Sequence, residues 1–105
     1  PALTTWADSQ PAGPQRPAGW AADDESFDTS VGELQDCPRT LAGYRFEGCE
    51  QVFGGVLLWA GTSFLYEVGL VRATMPPEPH DPTSRGSVWD VHPLSGGWYL
   101  VTVSS

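Results

Sequence analysis

From Leu41 onward, apolar residues recur with the two-residue period of β-strands. Tyr44-Arg45-Phe46-Glu47 alternates large apolar with charged residues, which predicts a half-buried strand. Val56-Leu57-Leu58-Trp59-Ala60 is apolar at every position, so it reads as a central strand covered on both faces. The alternation resumes over residues 64–72: Phe64, Tyr66, Val68 and Leu70 share one face, Leu65, Glu67, Gly69 and Val71 the other. The short Gly61-Thr62-Ser63 turn between these runs predicts a β-hairpin. Residues 87–92 and 98–103 add two more strands around a turn at residues 93–97. About five sequential antiparallel strands predict a mainly β fold, a small antiparallel β-sandwich or β-barrel.

The first third of the chain breaks this pattern. Pro1, Pro11, Pro14 and Pro17, with Gly13 and Gly19, exclude a long helix and predict an irregular Pro/Gly-rich arm over residues 1–22. Trp6 and Trp20 are too apolar for a bare tail, so the arm is expected to be pinned across the domain of residues 23–105. Phe27, Val31 and Leu34, spaced four and three apart, predict at most one short amphipathic helix before Pro38.

Charge narrows the set of partners. The 105 residues carry a net charge of −8, and six of those negative charges fall within residues 1–36. Nucleic acid and anionic membranes call for a basic stripe, so neither is expected as a partner; another protein is. No apolar run approaches the roughly 20 residues of a membrane span. The start at Pro1 has neither a basic nor an apolar leader region and reads as a processed end. Lys, Ile and Asn are absent, which marks a source genome rich in G and C rather than a mechanism.

Cys37 and Cys49 are the only cysteines, with no C-x-x-C spacing, so a short-loop disulfide is expected in place of a metal site. Such a bridge implies an oxidising compartment and a secreted protein.

The chemistry-bearing residues do not assemble into a known motif. His80-Asp81 and Asp90 with His92 allow a hydrolase or metal site to be sketched, but no nucleophile elbow or glycine-rich oxyanion loop accompanies them. Glu47 and Glu50 read as solvated surface acids, and Asp23-Asp24-Glu25-Asp28 lacks the glycine and glutamate of a calcium loop. No cofactor, metal or catalytic residue is expected. Aromatics are more informative: Trp98 and Tyr99 face opposite sides of one strand, so one of them is a candidate interface anchor. The loop of residues 74–86 holds four prolines, and a stiff loop binds with little loss of entropy.

These features predict a small acidic non-enzymatic binding module, such as a secreted inhibitor, an adhesin-like domain or an accessory subunit. Its candidate contacts are Met75, Pro76, Pro77, Glu78, His80 and Trp98, with Asp23, Asp24 and Glu25. Two alternatives stand beside it. One is a structural or decoration subunit whose arm laces onto a neighbour. The other is an acidic immunity protein whose residues 23–36 cover a basic toxin.

Overall fold

The computed structural model describes residues 2–16, 18–19, 37–62 and 65–104. The helix expected near Phe27, and the acids Asp23, Asp24 and Glu25, lie outside the described residues.

The arm opens with a helix, α1 (Ala2–Asp8). This corrects the expectation of a wholly irregular arm. Its first proline after Pro1 is Pro11, which leaves room for two turns. Leu3, Trp6 and Ala7 share one face of it, and Ser9 ends it by donating from N and Oγ to the Trp6 carbonyl, at 3.1 and 2.6 Å.

Eight strands follow: β1 (Thr40–Leu41), β2 (Tyr44–Arg45), β3 (Gly48–Val52), β4 (Gly55–Thr62), β5 (Glu67–Ala73), β6 (Pro82–Thr83), β7 (Gly86–Pro93) and β8 (Trp98–Ser104). β1 and β2 form a small hairpin of their own. The other six make one antiparallel sheet in the order β3-β4-β5-β8-β7-β6, and its two edges approach each other, so the sheet is a nearly closed barrel. The expected hairpin is β4–β5, paired from Gly55↔Ala73 to Thr62↔Glu67, but Gly61 and Thr62, expected in its turn, belong to β4, and β5 starts at Glu67; the expected closing pair is β7–β8. The run from Tyr44 to Glu47 is not one strand. Tyr44 and Arg45 pair with β1, Phe46 N donates to the Arg39 carbonyl, and Glu47 N already donates to the Trp59 carbonyl, ahead of β3 of the main sheet, which begins at Gly48.

The period-2 alternation sorts side chains into two clusters. Val52, Leu57, Trp59, Val71, Val88, Val101 and Val103 fill the barrel interior. Phe46, Cys49 and Leu58 lie on the outside of the sheet, packed with Leu41, Leu70 and Trp98 and against Leu3 and Trp6 of α1. β4 therefore is buried on both faces, as its apolar sequence predicts, because the arm covers the outer one. Each fully buried Leu or Val stabilises the fold by about 1.5–3 kcal/mol.

The arm is fastened at several points within residues 2–16; Trp20, also expected to pin it, lies outside the described residues. Gly13 N donates to Gly55 O at 3.0 Å and Gly54 N to Pro14 O at 2.9 Å. A Cβ on Gly13 would lie 1.9 Å from the Val52 carbonyl oxygen, so only glycine permits this approach. Trp98 Nε1 donates to Thr4 Oγ1 at 3.1 Å. Cys37 and Cys49 are joined in a disulfide that ties the chain before β1 to β3, with Cα atoms 5.4 Å apart. That bond fits an oxidising compartment. No described helix is long and apolar enough to cross a membrane.

Candidate functional site

Three places hold polar or aromatic groups in unusual settings: the seam of the barrel, the proline-rich loop and the bare outer face of β7 and β8.

At the seam, Glu50 is fully buried, which corrects the reading of it as a solvated acid. Alternation along β3 turns Glu50 and Val52 inward and Cys49 outward. The Glu50 carboxylate accepts hydrogen bonds from Trp59 Nε1 at 2.8 Å, from Ser84 N at 2.9 Å and from Ser84 Oγ. It thus bridges β3 and β4 to the turn after β6 and latches the two sheet edges together. Above it, Arg85 stacks 4.8 Å from the Trp59 ring centre and reaches Glu67 at 2.8 Å and Glu47 at 3.4 Å. Glu47, by contrast, is exposed as expected.

The proline-rich loop is clamped by the arm. Arg16 forks onto the buried Asp81 through Nε at 2.9 Å and through Nη2, and it also meets Glu78 at 3.3 Å and the Pro76 carbonyl at 3.3 Å. The hydrogen bond to Asp81 raises the Arg16 pKa above its ordinary value, against the opposing effect of burial. Its guanidinium also sits 5.5 Å from the Phe53 ring centre. Of the expected contact residues here, Pro76, Glu78 and His80 are exposed, Met75 is half-buried and Pro77 is buried. His80 holds a left-handed φ of 76°, while its N donates to the Val88 carbonyl at 2.6 Å and Val88 N donates to the Asp81 carbonyl at 2.9 Å, extending the β6–β7 ladder.

His80 and His92 are both exposed, and no group of three His, Cys, Asp or Glu is placed to hold a metal among the described residues. A cleft of about 470 Å³ runs between the arm and the end of the barrel. Arg72, the cation in it, is paired there with Asp8 at 3.3 Å.

The third place was not legible as a site. Trp98, the expected aromatic anchor, is half-buried against α1, and Tyr99 packs against the barrel interior. Among the described residues the exposed tryptophan is Trp89, 63% accessible. Val88 pairs with Val103 and Asp90 with Thr102, so Trp89 is the extra residue of a β-bulge. Val88 and Val91 both face the interior, three positions apart, which turns Trp89 and Asp90 outward side by side. Tyr66, just before β5, and Thr102 of β8 complete an open pocket of about 560 Å³ with them. Leu65, beside Tyr66 in the chain, is 74% exposed. The readable signal was the broken alternation Val88-Trp89-Asp90-Val91, in which two non-core residues separate two core ones.

Fold and site together define a small disulfide-linked β-barrel with one flank covered by its own N-terminal arm and an aromatic pocket on the other. No family model, curated protein or solved structure matches the chain.

Proposed function

We propose that this chain is a non-enzymatic protein-binding module that works in an extracytoplasmic, oxidising setting, with its contact surface centred on Trp89 and Tyr66. The observation that carries the reading is the bulge in β7. It directs a tryptophan into solvent, whereas the other described tryptophans, Trp6, Trp59 and Trp98, lie at least partly under cover. Trp and Tyr are the side chains that most often anchor interfaces, since they bury much apolar area at small cost in rotamer entropy. The clamped loop supports the same reading by offering Pro76, Glu78, Pro79 and His80 on a backbone that Arg16 already holds in place. Lacing of the arm onto a neighbour draws less support, because residues 2–16 are engaged on their own barrel.

The test is capture of extracytoplasmic proteins of the source organism on the immobilised chain, read by native mass spectrometry of the eluted complex. Wild type should retain one stoichiometric partner that Trp89→Ala loses. Equal retention by both would remove the patch from the interface, and no retention by either would defeat the binding reading.

A further inference from the structure

We infer that the pocket of Trp89, Tyr66, Asp90 and Thr102 receives an arginine side chain of the partner protein. The inference rests on the binding reading above and names the chemistry of its central contact.

Two internal sites supply the pattern. At each, an arginine stacks on an aromatic ring while a carboxylate takes its N–H groups: Arg85 lies 4.8 Å from the Trp59 ring centre and bonds Glu67, and Arg16 lies 5.5 Å from the Phe53 ring centre and bonds Asp81. The outer pocket repeats two of the three parts. Trp89 and Asp90 are turned to the same side by the bulge, Tyr66 supplies a second ring, and no ion pair engages Asp90 among the described residues. The part missing is the cation. A planar guanidinium suits such a pocket better than an ammonium, because it stacks on indole while its edge forks onto a carboxylate.

Charge complementarity selects the source of that arginine. The chain carries a net charge of −8, so its field draws a basic partner and opposes a second copy of itself. Arg16, Arg72 and Arg85 are already paired within the chain.

The full chain, labelled with ¹⁵N, is titrated with a neutral glycine–serine peptide bearing one arginine, and with the same peptide bearing citrulline, which keeps the shape and removes the charge. The Trp89 indole N–H and the Asp90 and Thr102 amides should shift with the arginine peptide, and the citrulline peptide should bind about fivefold more weakly. Asp90→Asn, an exposed substitution that leaves the fold intact, should reduce that difference to the share contributed by the rings, and added salt should narrow it further. Equal binding of the two peptides, or shifts unaffected by Asp90→Asn, would overturn the inference. So would saturable shifts of the same resonances by neutral oligosaccharides in place of the arginine peptide. Failure here and failure of the binding reading are separable. If Trp89→Ala loses the captured partner while Asp90→Asn keeps it at full affinity, the interface stands and the arginine falls. If Trp89→Ala still captures the partner, both fall.

Discussion

The two flanks of this barrel carry similar residues and meet opposite fates. On one, Leu58, Leu70 and Trp98 lie under α1 and beside the disulfide, and the outer sheet face becomes a second core. On the other, Trp89 and Tyr66 stay in water with nothing of the described chain over them. The difference is not composition, since each flank presents tryptophan on a strand. It comes from where the arm runs and from one inserted residue in β7. A tryptophan becomes core when the chain supplies a cover, and contact surface when it does not.

Substitutions give this contrast a scale. The seam, which belongs to neither flank, should show the largest effect. Glu50→Ala leaves the buried Trp59 indole N–H without its acceptor and removes the part-buried bonds to Ser84, at a cost of about 3–4 kcal/mol by urea unfolding. A loss below about 1 kcal/mol would mean that water replaces the latch. Next, replacing both Cys37 and Cys49 by serine should cost about 3 kcal/mol and loosen amide-exchange protection on the covered flank first. Uniform loss of protection across β7 and β8 would show that the flanks are not separable. Trp98→Ala should cost about 2 kcal/mol in the same unfolding assay, less than a fully buried tryptophan because the ring is only half-covered. Trp89→Ala should change stability by no more than about 0.5 kcal/mol. A larger loss there would place Trp89 in the fold and cancel the contrast.

Much of the architecture was legible because period-2 patterning reports faces directly. Leu57 and Trp59 against Val56 and Leu58 announced a strand buried on both sides, and two neighbouring strand-like runs announced the β4–β5 hairpin, although its turn falls after Gly61 and Thr62. The cysteine pair was legible from number and spacing. What escaped depends on tertiary company. β3 carries Glu50 and Gln51 at its centre and so looks like a polar connection; only the barrel interior, with donors from Trp59 and Ser84, makes that glutamate a core residue. α1 was missed because the arm's prolines dominate its composition although the nearest one after Pro1 is Pro11. The site was half legible. A surplus of aromatics pointed to a contact surface, but Trp98 and Trp89 are alike in sequence, and choosing between them required knowing where the arm lies.

The pinning of the arm also bears on how fast the molecule forms and comes apart. Thr4 bonds Trp98 across 94 positions, and Arg16 bonds Asp81 across 65. Contacts of that span close only after both β8 and the proline-rich loop exist, so docking of α1 is expected late, after the rate-limiting barrier. Trp98→Ala should then leave the refolding rate near that of wild type and speed unfolding instead, as stopped-flow fluorescence would read. Slower refolding in that variant would place the arm inside the folding nucleus. On this ordering the arm acts as a brake on unfolding: it sets how long a folded molecule lasts, while the barrel sets how quickly one is made.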